Sequence, residues 1–145
     1  MDERTSTTIP YGNGDEYDGE VNEGGVPDGS GTYYYKGNGN RSKSASYEGC
    51  WKDGKQHGQG VYRYANGDIY DGPWLEGKRH GENGTYTYKA TGAKYVGAWE
   101  NDMKHGQGKM SFDNGDEYLG MWKKNKMAGK KGTYTYCEGA EYIGE

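Results

Sequence analysis

The side chains best equipped for chemistry in this chain are three histidines, His57, His80 and His105. They stand 23 and 25 residues apart, and each begins a glycine-rich phrase such as His57-Gly58-Gln59-Gly60. Imidazole is the commonest metal ligand, but zinc holds its donors about 2 Å away. One histidine per two-strand unit places neighbours roughly 10 Å apart, because strands are spaced about 4.8 Å. No two can share an ion. Each is expected to order its own turn by hydrogen bonding to backbone, and neither a metal nor a cofactor is expected.

Nucleophiles and phosphate loops meet the same objection. Ser30 stands between Gly29 and Gly31 but lacks the flanks of a nucleophile elbow. Gly58-Gln59-Gly60 leads into a strand, and no Lys-Ser or Lys-Thr follows a phosphate-loop frame. Cys50 has no electropositive helix end to activate it. Three units separate it from Cys137, roughly 30 Å at the strand spacing above, too far for a disulfide. Two cysteines fit a reducing, cytoplasmic compartment. The chain is expected not to be an enzyme.

Leu, Ile, Val and Phe are scarce, whereas the 145 residues include 16 Tyr, 4 Trp and 28 Gly. Mean hydropathy is −1.28. Few aliphatics with many aromatics suit a thin sheet with an aromatic face, since each ring buries a large area and keeps a polar tip in water. A net charge of −4 counts against nucleic acid and anionic membranes as main partners. No apolar run approaches the roughly 18 residues of a spanning helix, and residues 1–8 carry no secretory signal.

The elements that must position these residues are read from a repeat. Tyr-x-Gly recurs at Tyr17, Tyr47, Tyr70, Tyr95, Tyr118 and Tyr142. Four positions later come Trp51, Trp74, Trp99 and Trp122, with Val21 in the first unit. A glycine pair, a short Tyr-rich run and a turn such as Asn66-Gly67-Asp68 complete each unit. Alternation in Tyr47-Glu48-Gly49-Cys50-Trp51 puts Tyr, Gly and Trp on one face of a strand. Lys52 to His57 is expected to turn the chain, and Asn-Gly to form the next hairpin turn with both residues at positive φ. The fold expected is all-β: an elongated single-layer antiparallel sheet of tandem β-hairpins over residues 11–145. Five units start near Tyr17, Tyr47, Tyr70, Tyr95 and Tyr118, a partial one starts at Tyr142, and residues 1–10 form a flexible tail. A flexible loop is expected over residues 37–46, and β-bulges at residues 81–84 and 129–132, where the paired glycines are one residue further apart.

The phrase from Tyr47 to Gly60 resembles the MORN repeat (membrane occupation and recognition nexus) at every fixed position. Val21 and Asp28 depart from the pattern in the first unit, and Ala128 replaces His in the fifth. The resemblance implies a single-layer sheet with an aromatic groove for a partner segment. It also implies roles in cytoskeletal and ciliary scaffolds, at membrane contacts, or as regulatory modules of larger enzymes. Residues 77–81 and 91–97 are similar to spoke-head members of motile cilia, which implies an axonemal location and axonemal or cytoskeletal partners.

Tyr47, Trp51, Tyr70, Trp74, Tyr95, Trp99, Tyr118 and Trp122 should share one face, and no helix is expected to cover it. An exposed aromatic strip of that extent marks a binding site. It is expected to hold an apolar or amphipathic helical segment of a protein partner, so that Trp74→Ala or Trp99→Ala weakens capture without unfolding the chain. An exposed edge strand offers pairing with a second copy. Lysines gather in the turns after Trp and acids in the opposite turns. Lys123, Lys124, Lys126, Lys130 and Lys131 form the best candidate patch for lipid or other anions, although the overall acidity opposes membrane docking.

Overall fold

The alternation that defines each unit produces strands, and the glycines and Asn/Asp pairs between them produce tight reversals. The computed structural model describes residues 3–36, 44–139 and 141–144, and the side chain of Lys130 lies outside what is described. The first six strands are β1 (Thr5–Pro10), β2 (Glu16–Val21), β3 (Pro27–Tyr35), β4 (Ala45–Lys52), β5 (Lys55–Arg63) and β6 (Ile69–Leu75). The rest are β7 (Lys78–Arg79), β8 (Gly81–Thr87), β9 (Lys94–Glu100), β10 (Met103–Ser111), β11 (Glu117–Lys123), β12 (Lys126–Thr135) and β13 (Glu141–Ile143). Each strand pairs antiparallel with its sequence neighbour in one open 13-stranded sheet; β7 and β8 share β6 as their partner. The sheet is all-β and single-layered, as the repeat requires.

Two reversals alternate along the sheet. At one end, Asp53-Gly54, Glu76-Gly77, Asn101-Asp102 and Lys124-Asn125 are two-residue turns with both residues at positive φ. This geometry matches the twist of the flanking strands. The expected reversal over Lys52 to His57 therefore shrinks to Asp53-Gly54, and Lys55 already belongs to β5. At the other end the Asn-Gly turns differ from expectation. Gly67 takes φ 94° while Asn66 stays out of the positive region. Tyr64 N–H donates to Asp68 O and Gly67 N–H to Tyr64 O, a three-residue loop in which only the glycine is left-handed. Asn66 contributes its side chain, whose Oδ1 accepts the Asp68 amide at 2.9 Å.

Bulges also differ in extent. Trp51 pairs with Gln56 whereas Gly49 pairs with Gly60, so His57, Gly58 and Gln59 stand opposite Cys50 alone. The same shift occurs at Lys104 to Gly108. At 129–132 the additional residue enlarges an offset that the other hairpins also carry. At 81–84 it makes the expected bulge against β9, which the corresponding pairings of Gly58–Gly60 and Gly106–Gly108 lack, and Asn83 takes φ 61° to absorb it.

Within the expected tail, residues 5–10 depart from expectation. Thr5–Pro10 is a strand, paired from Thr5↔Val21 to Pro10↔Glu16, because β2 would otherwise present unpaired backbone along the sheet edge. Most of the expected loop at residues 37–46 lies outside the described residues, and its last two, Ala45 and Ser46, begin β4. The partial unit pairs through Tyr134↔Tyr142.

Register stacks like residues on like. A tyrosine ladder runs across the sheet through Tyr17, Tyr33, Tyr47, Tyr62, Tyr70, Tyr86 and Tyr95, then Met110, Tyr118, Tyr134 and Tyr142. Two residues along each strand lies a glycine ladder, Gly19↔Gly31↔Gly49↔Gly60↔Gly72 and Gly84↔Gly97↔Gly108↔Gly120. The Tyr47 ring lies flat over Gly49 and Gly60, and its hydroxyl donates to the Cys50 carbonyl at 2.9 Å. Tyr70 and Tyr95 do the same to Pro73 and Ala98. Each indole reaches back over the previous strand: Trp74 Nε1 donates to Gly60 O at 3.1 Å and Trp122 Nε1 to Gly108 O at 3.2 Å. Every ring tip thereby finds an acceptor, as a buried polar group must.

Candidate partner-binding face

Trp51, Trp74, Trp99 and Trp122 stand edge-on between consecutive tyrosines. Trp99 meets Tyr70 at 5.1 Å and 81°, and Tyr95 at 5.3 Å and 90°. Tyr47, Tyr70 and Tyr95 are fully buried, Tyr118 is 8 % exposed, and the four indoles are 3–7 % exposed. All eight residues expected to form an open binding strip do share one face, but they are the core. They are buried and not the exposed strip that the alternation suggests. A one-layer sheet has no second layer to bury against, so its largest rings bury each other.

A second tier covers them. Tyr33, Tyr62 and Tyr86 lie over Trp51, Trp74 and Trp99 at 5.9–6.0 Å. Tyr35, Tyr64 and Tyr88 stack beside these at 4.5–4.6 Å. Links of 5.5 Å from Tyr35 to Tyr62 and from Tyr64 to Tyr86 close a zipper of half-buried rings. A shorter run joins Phe112, Tyr134 and Tyr136. On this face the continuous accessible aromatic surface is this tier. Its signal in the sequence was the Tyr-x-Tyr run of each return strand.

Aspartates at the Asn-Gly end hold the tier in place. Asp68 accepts the Tyr86 hydroxyl at 2.7 Å and the Lys89 amide at 2.9 Å, stitching its turn to the next unit. Asp15 does so with Tyr33 and Lys36, and Asp116 with Tyr134 and Cys137. Burial pushes the Asp68 carboxyl up, but hydrogen bonds from Tyr86, Lys89 and Asn66 outweigh it and hold the carboxyl below its ordinary value. The Cys137 amide, then the Tyr134 hydroxyl, lower Asp116. Burial pushes the Tyr86 and Tyr64 phenols up, Tyr64 to about 12, so both remain donors at neutral pH.

A carboxyl depressed in the folded state protonates more readily in the unfolded chain. Its stabilisation is complete above the unfolded value of about 4 and is lost as pH falls through the folded value. The melting temperature of the wild-type protein is therefore expected to fall steeply below about pH 4, with a shallower slope in Asp68→Asn. Equal slopes in a thermal melt series across that range would exclude the aspartate stitch as a source of stability.

At the opposite end, the residue before each histidine position turns onto the aromatic face: Gln56, Arg79, Lys104 and Met127. Arg79 spans 4.6 Å to the Trp99 ring centre while its Nε and Nη2 donate to Asp102. Lys104 Nζ donates to Tyr88 Oη at 2.8 Å and stands 5.0 Å over the Trp122 ring. Charge at this position reads from the sequence as a solvated basic turn. The bulge rotates it inward.

Five segments match the family model "MORN repeat": residues 17–40, 47–69, 70–90, 95–117 and 118–141. The chain belongs to the MORN-repeat family. No curated protein matches it. Such a MORN array is a repeat module of the scaffold or adaptor type, and the family is generally non-catalytic.

The MORN histidines do not converge. His80 Nδ1 accepts the Asn101 amide at 3.3 Å, in the following unit's turn rather than its own. His105 Nε2 lies 3.5 Å from Glu100 across its hairpin. His57 sits in a shallow pocket with Lys52, Asp53, Lys55 and Glu76. Cys50 and Cys137 are free and exposed. In the fifth MORN unit Lys123, Lys124, Lys126 and Lys131 are exposed, with Lys123 directly across from Lys126; Lys130 has no described side chain.

Proposed function

We propose that this MORN array is a non-catalytic scaffold whose second tier of tyrosines receives an apolar or amphipathic segment of a protein partner. The observation that carries this reading is the half-exposed zipper from Tyr33 to Tyr88, a continuous aromatic surface laid on a rigid buried layer. Tyrosine suits such a surface because it offers large contact area with little conformational entropy to lose, and aromatic anchors dominate interface energies. Tyr64→Ala with Tyr88→Ala removes two rings that are only half buried. The double variant is expected to keep most of the fold and to lose about tenfold or more in affinity for a partner peptide, read by fluorescence anisotropy. Unchanged affinity would remove the tier from the interface.

A second reading follows from the juxtaposed Lys123 and Lys126, with Lys124 in the turn between them. Like charges gathered on one hairpin fit an anionic membrane surface, against a net charge of −4. Co-sedimentation with phosphatidylserine vesicles separates the two readings, because lipid docking fades with salt whereas aromatic capture persists. A place in the ciliary axoneme rests on the resemblance of residues 77–81 and 91–97 alone. Immunolocalisation that finds the protein outside cilia would end it. Pairing of edge strands between copies remains testable by sedimentation.

A further inference from the structure

The aromatic zipper is broken once. Between Tyr88 and Phe112 the ladder residue is Met110 rather than tyrosine, and no ring contact joins Tyr88 to Phe112 among the described residues. A cleft of about 320 Å³ opens nearby, lined by Arg79, Tyr86, Tyr88, Trp99, Lys104 and Asn125. We propose that this notch is a carboxylate site, which seats an Asp or Glu side chain of the partner segment that the tyrosine tier receives. The inference rests on the partner-face reading above and assigns the partner's chemistry.

Three groups converge on the notch with donors to spare. Lys104 is half buried, gives one hydrogen bond, to Tyr88 Oη, and has no carboxylate within ion-pair distance among the described residues. Arg79 engages Asp102 through Nε and Nη2, which leaves Nη1 without an acceptor among the described residues. Asn125 accepts the Lys104 amide through Oδ1 at 2.9 Å, which leaves its amide N–H groups as donors. Asp102 already offsets the Arg79 charge at 3.2 Å, so the excess is the single positive charge of Lys104. One carboxylate matches that charge; a phosphate dianion exceeds it. Trp99, Tyr86 and Tyr88 supply an apolar floor for the methylene stem of the acid. Charge-assisted hydrogen bonds of this kind are roughly twice as strong as neutral ones, and a partly dry floor reduces competition from water.

The test selects ligands for the full chain from a display library of short random linear peptides at near-physiological salt. Enrichment of Asp or Glu at one fixed position among aromatic and aliphatic residues is expected. A selected peptide should then bind at least about tenfold more tightly than its Glu-to-Gln counterpart. Lys104→Gln should erase that preference, so that the Glu and Gln peptides bind the variant alike. The bonds from the Asn125 amide to the Lys104 carbonyl and from the Lys104 amide to Asn125 Oδ1 do not use the lysine side chain, and a melting curve verifies the fold of the variant. Peptides selected without acidic enrichment, or an equal preference in Lys104→Gln, overturn the carboxylate site but leave the partner face standing. No selected peptide at all sinks the partner face and this inference with it. Phosphatidylserine vesicles retained by the wild type but not by Lys104→Gln, in the absence of acidic enrichment, would assign the notch to an anionic lipid headgroup instead of a peptide side chain.

Discussion

Trp99→Ala is expected to destabilise the protein by about 3–5 kcal/mol, the range for truncating a large buried aromatic. Trp99 is 3 % exposed and lies edge-on between Tyr70 and Tyr95, beneath Tyr86 and the Arg79 guanidinium. Its loss opens a cavity that the neighbours cannot fill, because each is committed to the next ring along the ladder. It also removes the indole N–H that donates to the Gly84 carbonyl at 3.3 Å. A repeat array transmits such damage mainly to nearest neighbours. Hydrogen exchange should therefore accelerate most in β8 to β10 and least in β2 to β4. An alanine variant that melts within about 1 kcal/mol of wild type, with loss of binding alone, would restore Trp99 to an open binding strip and contradict the burial described here.

Gly60→Val is expected to cost about 3 kcal/mol or more, at or beyond the upper end of typical overpacking. A Cβ at Gly60 would overlap Oη, Cζ and Cε2 of Tyr47. That ring has no route of escape: Trp51 and Trp74 flank it at 5.1 Å each, and its hydroxyl is fixed on the Cys50 carbonyl. The same reasoning excludes any side chain at Gly31 or Gly108, which lie under Tyr17 and Tyr95. Gly12 provides the control. It has open space around its missing Cβ, so Gly12→Ala should stay within about 0.5 kcal/mol. Urea denaturation of the three proteins measures the contrast, and a Gly60→Val chain as stable as the Gly12→Ala chain would refute the ring-over-glycine packing.

Both variants act on features with a local origin in the sequence. The period of the repeat, the alternation within Tyr47–Trp51 and the need for glycine beneath a ring are local facts, and they lead to hairpins in tandem without coordinates. The role of Thr5–Pro10 was less legible. A polar stretch with little alternation becomes a strand because β2 supplies a template for it. Asn-Gly was legible as a turn but not as a turn type, since the choice depends on the Asp68 carboxylate reaching Tyr86 and Lys89. Arg79 and Lys104 read as turn residues. The bulge at each histidine directs them over Trp99 and Trp122.

A one-layer antiparallel sheet of MORN hairpins, and the face on which its rings collect, follow from the residues alone, because periods of two and of about 23 residues specify strands in tandem. Which rings are buried and which stay accessible emerges only from the packing of neighbouring strands. Tyr47 and Tyr62 are the same residue type on the same face, directly paired across neighbouring strands. Yet Tyr47 lies flat over glycine and is lost from the surface, whereas Tyr62 stands above an indole and remains half exposed. That difference arises from the order in which neighbouring strands stack their rings, and no single strand contains it.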